Sequence, residues 1–197
     1  MLRLIAALTL ALGLAACANG QRDLENPATA LGDFQLGFVE VVAPNLVKGP
    51  LSRDASAEEW TTAMEAALAE RFTRQSGGKY YHIGVSVEGY VLAQPGVPVV
   101  LSPKSALIFR VTVWDDAAQA KLNAEPEQIT VMESFSAETV AGSGLTQSRD
   151  EQMRNLTTNG ALQVERWLRR QMRDEGWFGG LPEPAAAKDK AAKTVPE

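Results

Sequence analysis

Residues 81–88, Tyr81-His82-Ile83-Gly84-Val85-Ser86-Val87-Glu88, decide the fold. Tyr81, Ile83, Val85 and Val87 alternate with His82, Gly84, Ser86 and Glu88. Successive side chains of a strand point to opposite faces, so this pattern commits one face to a core and leaves the other toward water. Downstream, Leu107, Phe109, Val111 and Val113 alternate with Ile108, Arg110, Thr112 and Trp114 in the same way. Half-buried alternation belongs to antiparallel sheets covered on one side. Upstream, Phe34 to Val42 is rich in branched and aromatic residues and reads as a strand ended by Pro44, while Ile129, Val131 and Phe135 supply a fourth.

Two helices flank these strands. Ser56-Ala57-Glu58-Glu59 is a capping box, in which the serine hydroxyl and the glutamate three residues later satisfy amides at a helix start. Trp60, Met64, Leu68 and Phe72 follow at four-residue spacing, and Gly77-Gly78 stops the run. Ser148-Arg149-Asp150-Glu151 repeats the capping pattern ahead of Met153, Leu156, Val164, Trp167 and Leu168, with Gly176 as the stop. The order is β-α-β-β-β-α, and its simplest packing is an α+β two-layer sandwich. A four-stranded, mainly antiparallel sheet would carry both helices on one face, over residues 33–178.

Composition narrows the function classes. The 197 residues are 45% apolar and 22% charged, with a formal net charge of −5, so no bulk electrostatic attraction to nucleic acid is expected. One cysteine excludes an intrachain disulfide and a thiolate metal cluster, and one histidine excludes a multi-histidine zinc site. No nucleophile elbow or zinc-protease motif occurs, and Gly142-Ser143-Gly144 is too short for the former. Gly77-Gly78 and Gly142-x-Gly144 lack the lysine of a phosphate loop. No metal or cofactor is therefore expected, and the chain reads as a non-enzyme.

The single cysteine, Cys17, follows Met1-Leu2-Arg3, an apolar run from Leu4 to Ala16, and the tetrapeptide Leu14-Ala15-Ala16-Cys17. That run matches a signal-peptide core and is too short to cross a bilayer of about 30 Å as a helix. The segment resembles the lipobox of bacterial lipoproteins. The resemblance implies that residues 1–16 are removed and that Cys17 becomes the lipid-bearing N-terminus. Ala18, in place of the aspartate that retains many such proteins in the inner membrane, implies an outer-membrane location facing the periplasm. Two or three acyl chains make such an anchor stable. The alternative is an ordinary Ala-x-Ala cleavage site followed by a coincidental cysteine.

Residues 17–32 (CANGQRDLENPATALG) are polar and small and read as a flexible tether, with an r.m.s. span of about 20 Å. Residues 179–197 hold three prolines, several alanines and alternating Lys/Asp, and read as a disordered tail. Within the domain, Val39-Glu40-Val41-Val42-Ala43-Pro44, Trp60 and Val85-Ser86-Val87 resemble the auxiliary lipoproteins of ABC-type lipid transport systems. They are also similar to uncharacterised lipoprotein families of Gram-negative bacteria. The resemblance implies topology before role.

Several residues compete for a functional role. His82 falls on the face opposite the core and reads as a surface histidine, because a catalytic one needs a nucleophile or carboxylate arranged around it. Asp115-Asp116 ends a strand, where turns recruit aspartate. Arg166, Arg169 and Arg173 share a helix face, either solvated or set against anionic headgroups. The loop from Ala93 to Lys104 carries Val97-Pro98-Val99-Val100-Leu101, apolar where a polar tip is the rule. It either folds back over a sheet edge or forms an exposed patch. The uncovered sheet face adds Tyr90, Ile108, Arg110, Trp114 and Met132, a mixture of interface composition. The candidate partner-binding set is thus Tyr90, Val97, Val99, Leu101, Arg110 and Trp114. The expected role is a membrane-anchored binding or accessory component of the envelope, with an unidentified protein or lipid as partner. A carrier of an apolar ligand is the alternative.

Overall fold

A computed structural model describes residues 20–94, 105–132 and 147–180. It contains helix α1 (Gly20–Leu24), strands β1 (Phe34–Val42) and β2 (Val47–Lys48), and helix α2 (Ala57–Phe72). Strands β3 (Lys79–Val91), β4 (Ala106–Asp115), β5 (Ala120–Lys121) and β6 (Glu127–Met132) follow. Helix α3 (Arg149–Asp174) and a 3-10 turn (Trp177–Gly179) end the described chain. The expected α+β class holds.

The sheet has six strands and is mixed, where four mainly antiparallel strands were expected. Strand β1 runs parallel to β3, because α2 connects them as a crossover that brings the chain back in its original direction. Strand β3 pairs with β4, and β4 with β6, in antiparallel fashion. The two additional strands extend edges already counted. Val47 lies opposite Gly89 and continues the β1 edge beyond Pro44, while Ala120–Lys121 lies opposite Trp114 and Asp115 at the end of the β6 edge. Where the chain leaves β4 between β5 and β6, Asn123 stands in for the missing strand. Its Oδ1 accepts from the Val113 amide at 2.9 Å, and its Nδ2 donates to the Val111 carbonyl at 2.9 Å.

Both capping boxes form. The Glu59 amide donates to Ser56 Oγ at 3.1 Å, and the Ser56 amide to Glu59 Oε2 at 2.7 Å; Ser148 and Glu151 repeat the exchange. Trp60, Met64, Leu68 and Phe72 of α2 are fully buried against Ile83, Phe109, Val111 and Val113 of the sheet. From α3, Met153, Leu156, Val164, Trp167 and Leu168 join the same core. The 3-10 turn closes one end, with Phe178 packed edge-on to Phe34 and Tyr81 at 5.0 and 4.7 Å and its carbonyl accepting from the Asp33 amide at 2.8 Å.

The stretch read as a flexible tether differs most from expectation. Residues 20–32 lie packed on the domain: Gly20 is buried, α1 rests on α3, and Leu31 is fully buried with its amide donating to Gln75 Oε1 at 3.0 Å. Polar composition misled here because this arm is held by hydrogen bonds and ion pairs, which leave no hydrophobic period. Cys17 and residues 181–197 lie outside the described residues, as does Phe135.

Candidate functional site on the open sheet face

With both helices on one side, the other face of the sheet carries Phe38 and Glu40 from β1, His82, Gly84 and Ser86 from β3, and Ile108, Arg110, Thr112 and Trp114 from β4. Met132 of β6 completes it. Phe38 is 57% exposed and Met132 56%. Register places His82 beside Trp114, Gly84 beside Thr112, and Ser86 beside Arg110. The small residues Gly84 and Ser86 run down the middle between larger neighbours. The outcome is a shallow groove of 450 Å³ with Gly84 among its lining, walled by Phe38, His82, Thr112 and Trp114.

One corner of this groove is built around a β-bulge. The β1 register shifts between Leu36 and Val39, which keeps Val39 and Val41 directed to the core. The bulge leaves the Phe38 amide off the ladder, and it donates to His82 Nδ1 at 3.2 Å. The imidazole lies against Gly37, where a Cβ would stand 2.3 Å from Nδ1, and stacks on the Phe38 ring with centroids 3.9 Å apart. Its Nε2 faces Asp116 Oδ1 at 3.1 Å. Since Nδ1 accepts, Nε2 carries the hydrogen and donates it to the carboxylate. Both ring nitrogens are thereby engaged. His82, expected as a plain surface histidine, is a half-buried brace for the bulge. Asp115 makes the expected turn, accepting from the Ala118 amide at 2.9 Å. Among the described residues no group of three or more His, Cys, Asp or Glu could hold a metal ion.

Of the residues expected to bind a partner, Arg110 and Trp114 lie on this face. Tyr90 does not. It is buried, its hydroxyl accepts from the Ala55 amide and donates to the Ala55 carbonyl, each at 2.9 Å, and its ring packs 5.1 Å from Trp60. The reason is a second bulge between Val87 and Gly89, since one extra residue in a strand flips every later side chain to the other face. Alternation counted from Tyr81 therefore fails after Val87. Val97, Val99 and Leu101 lie outside the described residues. Phe38 was not anticipated, although Gly37 inside a strand is a recognised sign of a bulge or close approach.

The opposite surface holds a charged cluster that the sequence reading also missed. Arg71, only 2% exposed, bonds Asp23 at 2.7 Å, Glu165 at 2.6 Å and the Gly20 carbonyl at 2.8 Å. Arg169 pairs with Glu165 and donates to the Thr29 carbonyl at 2.8 Å. These contacts bind the N-terminal arm across both helices. The arginine trio thus divides: Arg169 clamps the arm, Arg173 pairs with Asp174 at 2.7 Å, and Arg166 remains exposed. The trace available in sequence was Arg71 itself, seven residues after Met64 and four after Ala67, on the apolar side of α2.

No family model matches the chain, and no curated protein is similar enough in sequence to count as a relative. Among solved structures, the chain is similar to a DUF330 protein of Xanthomonas campestris at 14% identity, covering 72% of this chain and 87% of that one with a TM-score of 0.42. It is similar to the PelC dodecamer of Paraburkholderia phytofirmans at 14% identity, covering 68% and 92%, TM-score 0.33. It is also similar to a minor lipoprotein of Acinetobacter baumannii at 18% identity, covering 69% and 91%, TM-score 0.30. Likenesses this distant identify neither a family nor a function.

Proposed function

We propose that this chain is a cell-envelope lipoprotein, acylated at Cys17, that works by binding another envelope protein through its open sheet face. The observation that carries the binding role is the set of exposed Phe38, Ile108 and Met132 around Arg110 and Trp114, on a face that no described element covers. Exposed apolar groups interleaved with arginine and tryptophan have the composition of interface centres. The lipid anchor is supported by the Leu14-Ala15-Ala16-Cys17 segment. Outer-membrane residence follows from Ala18 by the sorting pattern of such proteins, and an ABC-type lipid transport assembly is the setting to which the sequence resemblance leads. A carrier would need an enclosed apolar chamber. The described residues offer open surface grooves; one of 620 Å³ between α2 and α3 has Ala63, Ala66 and Met153 in its lining and a rim of Glu58, Glu59, Arg149 and Arg154.

In-cell photocrosslinking tests the binding role, with a photoreactive residue at position 108 and a control at position 62 on α2. A discrete adduct from 108 alone, lost on Arg110→Glu, is expected; equal adducts from both positions overturn the assignment. Cys17→Ser is expected to abolish acyl labelling and release the protein from membranes. Retained labelling removes the anchor from the proposal.

A further inference from the structure

We infer that the outer surface of the helical layer lies on an anionic membrane, with Arg166 and Arg170 meeting lipid headgroups; this rests on Cys17 being the lipidated residue. Gly20 is fixed to the middle of α3. Its amide donates to Asn159 Oδ1 at 2.7 Å, its carbonyl accepts from Arg71, and a Cβ there would stand 2.5 Å from the Thr158 carbonyl oxygen. Backbone thus rests on backbone at that point. Only Ala18 and Asn19 lie between Cys17 and Gly20, a reach of about 10 Å at most, whereas a free segment from Cys17 to Gly32 would reach about 50 Å. The lipid-bearing residue is therefore leashed to the helical layer, and the bilayer lies against the surface from which the leash emerges.

That surface carries the charge the role requires. Asn159, which holds Gly20, also lines a groove of 420 Å³ between α3 and the β6 edge, with Gln163, Arg166 and Arg170 on one side and Glu127 and Met132 on the other. Arg166 and Arg170 are exposed and have no ion-pair partner among the described residues. Of the other arginines of α3, Arg149 pairs with Glu59 at 2.5 Å, Arg169 with Glu165 and Arg173 with Asp174, while Arg154 is exposed nearer the helix start, away from this groove. Two free guanidinium groups beside the membrane attachment are placed to accept phosphate oxygens of an anionic leaflet. The bilayer then meets the flank where α3 borders β6, and the part of the open sheet face around Thr112 and Trp114, on the far side of β4, is left toward a partner in the aqueous compartment.

The test uses the full chain, acylated in cells and reconstituted into phosphatidylethanolamine vesicles containing phosphatidylglycerol. Acylation consumes Cys17, so one introduced cysteine carries a fluorophore, at Gln163→Cys on the helical surface or Thr112→Cys on the open face. Quenching by headgroup-spin-labelled lipid is expected to be several-fold stronger at position 163. Arg166→Gln/Arg170→Gln, or replacement of phosphatidylglycerol by a neutral lipid, is expected to shrink that contrast. Equal quenching at both positions, in protein whose acylated Cys17 is verified by mass, overturns the inference and leaves lipidation standing. A contrast indifferent to both the arginines and lipid charge overturns the headgroup role. An unmodified Cys17 mass removes the lipidation reading itself and this inference with it.

Discussion

The two broad surfaces of this domain are finished in opposite ways. On the helical side the chain brings its own N-terminal arm across α2 and α3, and the buried Arg71 receives Asp23, Glu165 and a backbone carbonyl. On the sheet side Phe38 and Met132 stand more than half exposed, and no described element covers them. A buried charge left alone costs several kcal/mol, so the helical side must supply partners from within the chain. Exposed apolar groups carry no such demand and leave their surface open to another molecule. The helical surface is thus organised to hold, and the sheet surface to receive.

The strongest way to break this contrast is to remove its central charge. Arg71→Met takes the partner from Asp23 and the Gly20 carbonyl, leaving Glu165 to Arg169 alone. The expected cost is about 3 kcal/mol in denaturant unfolding, together with rapid proteolysis of residues 20–32. Arg110→Met on the open face is expected to change stability by no more than about 0.5 kcal/mol. Equal costs for the two substitutions would mean that the arm is not held by this network.

A smaller effect sharpens the sheet side. Gly37→Ala forces a Cβ to within 2.3 Å of the His82 ring, and the bulge is expected to lose about 2 kcal/mol. In a His82→Ala background the obstruction is gone, and the cost of Gly37→Ala is expected to fall below about 0.5 kcal/mol. Additive costs in the double-mutant cycle would show that the glycine serves backbone conformation alone, without regard to the imidazole.

The same contrast marks what could be read from the chain. The core was legible: alternation through Tyr81–Val87 and Leu107–Val113, and the two serine–glutamate capping boxes, are local signals with a fixed period. Parallel pairing of β1 with β3 was not, because it depends on where the crossover docks. Tyr90 was misplaced by a single extra residue at the second bulge, which no count of apolar positions reveals. The open face was therefore half legible, with Arg110 and Trp114 in register and Phe38 hidden behind the first bulge. The arm was least legible, since an ion pair between Arg71 and Glu165, 94 residues apart, leaves no periodic trace.

The helix starts give the smallest test, and it separates two capping boxes of identical design. Glu59 sits below the ordinary carboxylate value of 4.5, chiefly because the Ser56 amide donates to it, with Arg149 adding a second bond. Glu151 is lowered chiefly by the Ser148 amide and then by the Ser148 hydroxyl. For a carboxylate depressed on folding, the stabilisation is complete well above 4.5 and is lost as pH falls through the folded value. Stability measured by urea unfolding should therefore be level at neutral pH and decline below pH 4.5, with Glu59→Gln and Glu151→Gln each flattening the decline. Arg149→Gln should flatten it chiefly through Glu59, its partner ahead of the exposed Asp150, so adding Arg149→Gln to Glu59→Gln should change the acid slope less than adding it to Glu151→Gln. Equal shifts in both backgrounds would detach Arg149 from the first box and leave each helix start capped by its serine alone.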